Sequence, residues 1–509
     1  MKKKAIVIDF TADIHSDVIV GLAKRSLDII YWTSKKKMDI SEEDSDLFVD
    51  TVFHSTYDAV AGIPAEKVIF KDEQLVGAGV VSHMKQYESQ TLAMMRKFTF
   101  NEIPLKKLQR MYNTYIHYWY NVLQHLKPDV VLFPDVPHIG YNYVLYQLAK
   151  MLQIKTVISK RTSPIPDRVL FYEDFTNLKE LKAEIGRIAQ EEHHTKNIDG
   201  TVLDFMKQVN NITSDKIPAQ YKKFTGFSGK EKEVEFLPRL SSLKRNIVEH
   251  KFTKVVTGYV WMLLHKRDVC AIQRQKRSGL QAKIGNIENR AMCRRFRKEY
   301  RCLQVDKPDL SVPYIYVPLH RQPEGTTNPM GGIFDDQILM IDILRSCLPD
   351  GWNLYIKEHP TQWKFPLAHL GRFKGYYTYI ASHGNVKLVP TNIPGFDLID
   401  NCRGVATVTG TTGLEAVMKG KPALAFGYPI YMYCEGVLRV RDTKTCEEAM
   451  SRVYNGYTPN KEKVLQYLQA VERTAAKAYI HKRHGIHSGL THNESVNNLI
   501  DGFFHACTF

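Results

Sequence analysis

A short apolar run, a turn of small residues and a helix-length segment follow one another between Gly404 and Pro422. Gly404–Val408 is rich in β-branched residues and is bounded by turn residues, as buried parallel strands are. Thr409–Gly413 then supplies three threonines and two glycines before the helical segment. Because neighbouring parallel strands need a crossover, usually helical, between them, this succession predicts a doubly wound α/β unit.

The turn at Thr409–Gly413 also suggests a ligand site. The first N–H groups of a helix have no intrahelical acceptor, and the helix dipole favours an anion beside them. Threonine hydroxyls add donors, and Glu415 could accept a hydrogen bond from a ribose. The predicted contacts to a nucleotide's phosphate and sugar are Thr409, Gly410, Thr411, Thr412, Gly413 and Glu415. In the alternative interpretation, these residues only cap the helix.

Two further loops are expected at the same edge of the sheet. The predicted strand Pro313–Leu319 runs into a turn-rich loop, and the predicted strand Asn353–Lys357 ends in Glu358-His359-Pro360. Ligands of open α/β sheets bind beyond the carboxyl ends of the strands. These loops add Arg321, Gln322, Lys357, His359 and Pro360 as candidate phosphate-site residues and Glu324 as a carboxylate for a hydroxyl group.

The first half of the chain begins with a strand–helix–strand pattern that has no Gly-x-Gly-x-x-Gly motif, so no dinucleotide site is predicted there. A later apolar strand ends at Pro134-Asp135-Val136-Pro137-His138. Asp135 and His138 are candidate catalytic residues, with Glu324 of the second half as the alternative. The prolines could instead simply shape a turn while Asp135 caps the next helix. A weaker cluster, Asp9, Asp13 and His15, is expected to be structural.

The chain carries a net charge of +16, and Lys244–Arg301 contributes +12 of it through 16 Lys and Arg against 4 Asp and Glu. Such clustering predicts an acidic partner, for example an anionic or lipid-linked acceptor or the inner membrane surface. Within it, Val255–Leu264 is apolar but too short to span a bilayer. It could be an interfacial helix or a buried helix between domains. Nucleic acid is not an expected partner, because the sequence has no signature of a nucleic-acid-binding fold.

The eight cysteines lie between Cys270 and Cys507 without a Cys-x-x-Cys pair, which favours neither a zinc site nor a disulfide scaffold. The apolar run after Met1 is too short for a signal peptide, and no run approaches the roughly 20 residues of a membrane span. The sequence therefore predicts a cytoplasmic protein that binds no metal and needs no cofactor, with docking on the inner membrane as an option.

Four motifs resemble the bacterial capsule and surface polysaccharide biosynthesis proteins. They are Leu319–Glu324, Gly331–Gln337, Lys357–Pro360 and Thr409–Pro422. That group includes the Kdo transferases of capsule assembly, and it shares His-Pro and Ser/Thr-rich motifs with bacterial sialyltransferases of the GT-B fold. Threonines stand here for the usual serines, and the Asp/Glu-Asp-Gly motif that supplies the acid/base in the sialyltransferases is absent from this sequence.

The resemblance implies a GT-B-like α/β fold with two Rossmann-like domains facing a cleft. The expected divisions are an acceptor domain at 1–175, a helical basic insertion at 176–310, a nucleotide-sugar-binding domain at 311–480 and a tail at 481–509. The implied activity is a glycosyltransferase that uses a nucleotide-activated sugar, for which a CMP-linked donor is one candidate. Alternatives are a CDP-glycerol-type polyol phosphotransferase, a nucleotide-sugar 2-epimerase and a non-catalytic polyanion-binding protein.

Overall fold

The computed structural model describes residues 2–11, 14–25, 27–35, 40–67, 75–97, 103–191, 200–212, 267–270, 275–277, 279–364, 370–481, 485 and 488–508. These residues form two α/β units, each built on a mainly parallel sheet. The predicted architecture of two Rossmann-like units is therefore confirmed. The apolar stretch Val255–Leu264 and much of the basic segment lie outside the described residues, so the predictions made for them stay predictions.

The strands are numbered in chain order. They are β1 (Lys3–Val7), β2 (Leu27–Ser34), β3 (Val52–Ser55), β4 (Val130–Phe133), β5 (Lys155–Arg161), β6 (Arg168–Tyr172), β7 (Arg267–Cys270), β8 (Gln275–Arg277), β9 (Tyr314–Pro318), β10 (Asn353–Lys357), β11 (Val386–Leu388), β12 (Gly404–Thr407), β13 (Ala423–Ala425), β14 (Val437–Arg439) and β15 (Ala476–Lys477).

The helices follow the same convention. They are α1 (His15–Arg25), α2 (Thr56–Ala61), α3 (Ala78–Met84), α4 (Glu88–Arg96), α5 (Leu105–Leu126), α6 (Tyr141–Met151), α7 (Lys179–Ile188), α8 (Gly200–Asn211), α9 (Gly279–Leu303), α10 (Gln337–Ser346), α11 (Tyr376–Ala381), α12 (Gly395–Asn401), α13 (Thr411–Met418), α14 (Thr443–Tyr454), α15 (Lys461–Thr474) and α16 (His492–Thr508). None of the described helices is long and apolar enough to cross a membrane.

Both sheets share one strand order. The first runs β3-β2-β1-β4-β5-β6-β15 and the second β11-β10-β9-β12-β13-β14, with parallel pairs except around β6. In each unit the order reverses after its first strand, between β1 and β4 or between β9 and β12. Crevices for ligands form at such reversals, because the two flanking loops turn to opposite faces of the sheet. The loops after β9 and β12 are those that carry the predicted donor motifs.

Element boundaries agree with the sequence to within a few residues, and the exceptions have local causes. Apolar periodicity predicts a helix from about Phe334 to Cys347. In the structure α10 begins at Gln337, because Asp336 accepts a hydrogen bond from the Ile338 N–H at 3.0 Å and so acts as the N-cap. Residues Gly332–Asp335 form a separate 3-10 turn before it. The chain therefore enters the helix later than its apolar periodicity indicates.

The end of the chain returns to the first unit. Strand β15 pairs antiparallel with β6, and α16 buries Leu499 and Phe503 in the core on one face of the first sheet. The connection is reinforced by the buried Arg168, whose Nε and Nη2 donate to the Glu472 carboxylate at 2.9 and 2.8 Å. The segment predicted as a separate tail is thus packed against the first sheet.

Candidate active site

A cavity of about 970 Å³ lies where the two units face each other. One wall comes from the loops after β9, β10 and β12, and the other from the β5–β6 turn, α8 and the segment after β15. Ten residues that the sequence predicts as site residues line it: Arg321, Glu324, Lys357, His359, Pro360, Thr409, Gly410, Thr411, Thr412 and Glu415. The three loops predicted to share one edge of the sheet therefore meet in a single cavity.

Some N–H groups at the start of α13 donate to side chains of the protein, and others have no acceptor within the helix. The Thr409 N–H donates to His320 Nε2 at 3.2 Å, and the Gly410 N–H donates to Thr407 Oγ1 at 3.1 Å. The two amides that follow, of Thr411 and Thr412, lie in the first turn of the helix, where no intrahelical acceptor is available. Of the N–H groups in this turn, those of Thr411 and Thr412 are therefore the ones that can bind an anion.

His320 lies within the motif Leu319–Glu324 and lines the cavity, although the sequence predicted no role for it. Burial lowers the pKa of its imidazole to about 3, so the ring is neutral at pH 7. Because Nε2 accepts from the Thr409 N–H, the proton of the neutral ring is on Nδ1. A Cβ at Gly410 would lie 2.8 Å from Thr407 Oγ1, so only glycine fits this turn. His320 thus holds the turn in place through its hydrogen bond with the Thr409 N–H.

Two predicted donor contacts, Gly413 and Gln322, do not line the cavity and have structural roles instead. A Cβ at Gly413 would lie 2.4 Å from the hydroxyl oxygen of Tyr431, which donates to the Gly410 carbonyl. The Gln322 backbone N–H donates to Gln362 Oε1 at 2.8 Å, and its carbonyl accepts from Gln362 Nε2 at 3.0 Å. Both residues fix the shape of the loops that bear the lining residues.

Lys357 and His359 bring positive charge and a donor to the cavity. Burial lowers the pKa of Lys357 to about 8, which leaves its ammonium mostly protonated at pH 7, and Nζ donates to the Ile393 carbonyl. His359 Nδ1 accepts from the Thr361 N–H at 3.2 Å, so Nε2 carries the proton of the neutral ring. Burial lowers the pKa of His359 to about 4. Near neutral pH the site therefore offers one ammonium and one neutral N–H donor.

Arg372 is a positioning residue that no sequence signal indicated, since it follows the β10 motif by more than a dozen residues in a turn-rich segment. All five of its N–H groups are used. They donate to the Glu358 carboxylate, the Gln322 side chain and the carbonyls of His320 and Gly371. One side chain therefore ties the loop after β9 to the loop after β10.

Two of the carboxylates that line the cavity, those of Glu324 and Glu415, have raised pKa values. Burial raises the pKa of Glu415 to about 7, against a hydrogen bond from Thr411. Burial also raises the pKa of Glu324, although the Arg321 guanidinium lies 3.8 Å away. Raised pKa values make both groups stronger bases than exposed glutamates, and the pKa near 7 reduces the repulsion between Glu415 and a phosphate at neutral pH.

Asp135 and His138 come from the first unit and do not line the cavity. The Asp135 carboxylate is half-exposed and accepts from Lys160 Nζ at 2.6 Å. His138 Nδ1 donates to the Val136 carbonyl at 2.7 Å, and its ring touches Gly325 of the second unit, where a Cβ would lie at 3.0 Å. His138 therefore flanks the loop that carries Glu324, whereas Asp135 is paired with Lys160.

The weaker cluster after β1 is built into the fold. The half-buried Asp9 accepts from the hydroxyls of Tyr141 and Thr56 at 2.5 and 2.9 Å and from Asn142 Nδ2 at 2.9 Å. His15 is buried in α1, and Asp13 lies outside the described residues. With its carboxylate oxygens engaged by three neighbours, Asp9 joins the loop to α6, as a structural residue does.

The fold and the cavity define a two-unit α/β protein with a ligand cleft between the units. Residues 327–486 match the family model described as capsule polysaccharide biosynthesis protein. Over these residues the resemblance to that family, inferred from the motifs, is confirmed. The match includes the loops after β10 and β12.

A curated relative and two solved structures are similar to this chain. The capsule polysaccharide modification protein LipA of Neisseria meningitidis serogroup B is 33% identical over 79 residues, which are 16% of this chain and 10% of that protein. The β-Kdo 2,7 transferase KpsC of Thermosulfurimonas dismutans aligns over 82% of this chain and 96% of its own at 10% identity and a TM-score of 0.33. The UDP-GlcNAc 2-epimerase of Methanocaldococcus jannaschii aligns over 93% and 100% at 11% identity and a TM-score of 0.22.

Proposed function

We propose that this protein is a glycosyltransferase of capsule polysaccharide biosynthesis that transfers a sugar from a nucleotide-activated donor to a glycan acceptor. One observation carries the proposal. Within the family-matched region, the Thr411 and Thr412 amides, Lys357 and His359 line one cavity at the strand-order reversal of the second unit. Amides of a helix start, an ammonium and an imidazole N–H are the groups that bind a phosphate.

The same groups suit the leaving group of a glycosyl transfer. The bond between the anomeric carbon and the phosphate oxygen breaks, and its electron pair stays on the phosphate. Donors fixed in advance around that oxygen stabilise the charge that develops on it. Lys357, the His359 Nε2–H and the two amides are held by buried neighbours, so they need little reorganisation during the reaction.

The acceptor hydroxyl must lose its proton as its oxygen bonds to the anomeric carbon. Of the three candidate bases, Glu324 lines the cavity, whereas His138 flanks its loop and Asp135 is paired with Lys160. The raised pKa of Glu324 suits a base that works near neutral pH. We assign the base to Glu324, with His138 as the second candidate, because its Nδ1–H is engaged and its Nε2 is left basic.

Nucleotide binding is the first test. Thermal-shift measurements with CMP, CDP, UDP and GDP should raise the melting temperature, with one base preferred, because a ligand that binds only the folded state stabilises it. No shift with any of the four would contradict the proposal. We also propose that no cofactor or metal takes part, so that EDTA leaves transfer unchanged.

Product analysis separates the alternative activities. A glycosyltransferase releases the nucleotide and lengthens the glycan by one sugar. A polyol phosphotransferase supplied with CDP-glycerol would release CMP and add glycerol phosphate, and a 2-epimerase would change the sugar without any acceptor. A polyanion-binding protein would release no nucleotide, and His359→Ala would leave its salt-dependent binding intact.

A further inference from the structure

The cavity has a second wall that the phosphate groups do not explain. It consists of Arg161, Ser163 and Asp167 from the β5–β6 turn, Asp204 and Gln208 from α8, and Tyr479 after β15. We call these six residues the hairpin wall. At about 970 Å³ the cavity is near the upper limit of single small-molecule sites, about 300–1,000 Å³, and so has room for a second ring beside a donor.

The turn and the strand end that carry this wall are held rigidly. The Ala478 N–H donates to the Asp167 carbonyl at 3.1 Å, and the Thr162 N–H donates to the Arg168 carbonyl at 3.0 Å. The ring of Tyr479 is buried, and its backbone N–H donates to Ser495 Oγ at 3.1 Å. A preorganised wall loses little entropy on binding, which distinguishes a binding surface from a mobile loop.

The charges of the hairpin wall do not fit a polyanion. It has one guanidinium, of Arg161, against the carboxylates of Asp167 and Asp204. None of the described residues from Lys244–Arg301, the most basic stretch, lines the cavity. Because Asp204 also lies 3.7 Å from Lys207 Nζ, an acidic sugar ring placed here would meet no excess of positive charge and would gain no electrostatic affinity.

The same residues fit an uncharged sugar ring. Carboxylate oxygens accept hydrogen bonds from sugar hydroxyls, while Gln208 and Arg161 can donate to them. Phe205 and Tyr479 also reach the lining, and because both side chains are largely buried each adds only a small apolar surface there. A few polar groups around apolar surface is the usual make-up of a small-molecule site.

We infer that the hairpin wall is the acceptor subsite and that it takes an uncharged, hydroxyl-rich sugar unit as the acceptor end of the growing glycan. This inference rests on the proposed function, which supplies the donor on the opposite wall. It replaces the anionic acceptor expected from the net charge with a neutral one.

A glycan array tests the inference directly. Its members end in neutral hexoses or N-acetylhexosamines, or in uronic or sialic acids, and the protein is applied with saturating CMP or UDP. Neutral ends should be bound, with equal affinity in 50 and 500 mM NaCl, because no ion pair is formed. Binding confined to acid-terminated glycans, or to no glycan, overturns the inference.

Exposed residues of α8 allow variants with little risk to folding. Asp204→Asn and Gln208→Ala should each weaken binding to the array about tenfold, which equals about 1.4 kcal/mol for one lost hydrogen bond. Asn210→Ala, on the same helix but outside the cavity lining, is the matched control and should bind as the wild type does. Wild-type binding by the first two variants would also overturn the inference.

Nucleotide-induced stabilisation separates this inference from the proposed function. All three variants should keep the thermal shift of the wild type, since the α8 residues are assigned to the acceptor. If the wild-type protein shows no shift with any nucleotide, the proposed function fails. If nucleotides stabilise the protein but the array gives either adverse result, only the acceptor assignment fails.

Discussion

Arg372 and Glu358 form an ion pair with no solvent exposure beneath the loops of the cavity. Arg372 Nε donates to Glu358 Oε2 at 2.8 Å and Nη2 donates to Oε1 at 3.0 Å. The carboxylate also accepts from the His359 N–H at 2.6 Å and from the Tyr377 hydroxyl. A buried pair is tolerated only when its remaining donors and acceptors are satisfied, as they are here.

Removing one partner of this pair should be strongly destabilising. Arg372→Ala leaves the Glu358 carboxylate buried without its counter-ion, which costs about 3–5 kcal/mol. Denaturant unfolding monitored by circular dichroism measures the loss. The double variant Arg372→Met/Glu358→Leu should lose less, because neither charge is then left uncompensated.

A pair whose arginine is exposed provides the control for that measurement. Arg187 and Glu184 lie one turn apart on α7, and the Arg187 side chain is 70% exposed, whereas Glu184 is buried and also accepts from Arg473 Nη1 at 3.2 Å. Arg187→Ala should cost less than about 1 kcal/mol, because Glu184 keeps Arg473 as a partner and solvent screens the exposed guanidinium. Equal losses for Arg372→Ala and Arg187→Ala would show that the buried pair does not hold the loops.

Lys357→Gln should weaken nucleotide binding about 10- to 100-fold, as the loss of a charge-assisted hydrogen bond worth about 1.5–3 kcal/mol predicts. Isothermal titration with the nucleotide selected by the thermal-shift panel gives the Kd. Lys364→Gln removes an exposed lysine that follows β10 but does not line the cavity, and it should leave the Kd unchanged. A wild-type Kd for Lys357→Gln would remove the lysine from the phosphate site.

Glu324→Gln should lower kcat about 10²- to 10⁴-fold with little change in nucleotide affinity, because a general base acts on the transition state. The free carboxylate is the active form, so the wild-type rate should fall as pH drops through its raised pKa. The pH profile of kcat/KM checks this sign. If Asp135→Asn abolishes transfer while Glu324→Gln retains it, the base is on the first unit.

Glu415 should make stability depend on pH. Its pKa rises from 4.5 in the unfolded chain to about 7 in the folded one, so the folded state binds more protons between these values. The free energy of unfolding then decreases as pH rises through that window, by at most about 3 kcal/mol at about 1.4 kcal/mol per pKa unit.

Denaturation of the wild type and of Glu415→Gln at pH 4 and pH 8 isolates this contribution, because all other titrating groups cancel in the difference. The variant should gain stability relative to the wild type at pH 8. A difference that does not change with pH would place the Glu415 carboxylate in contact with water.

The fold could be predicted from the sequence because the sequence patterns that indicate it are local. The run Asn353–Lys357 is a strand with those bounds, and the predicted strand Pro313–Leu319 extends over Tyr314–Pro318. Apolar periodicity and turn residues involve only a few neighbouring positions, so they can be interpreted without knowledge of the rest of the chain. The resemblance added the pairing of two such units across a cleft.

Only part of the candidate site could be predicted from the sequence. Because the carboxyl ends of parallel strands share one edge, the loops of Arg321, Lys357 and Thr409 could be brought together without coordinates. The same reasoning predicted that every residue of the Thr409–Gly413 turn contacts the ligand. Gly413 instead makes room for Tyr431, which depends on a residue 18 positions later.

By itself, then, the sequence determined the two α/β units and the edge at which the loops of Arg321, Lys357 and Thr409 meet, and it predicts a phosphate site there. Tertiary structure alone decided which groups remain available there: His320 occupies the Thr409 amide, Arg372 holds Glu358, and Tyr479 returns from the end of the chain to the second wall. Hydrogen bonds and desolvation depend on distances between segments remote in sequence, and local periodicity carries no record of those distances.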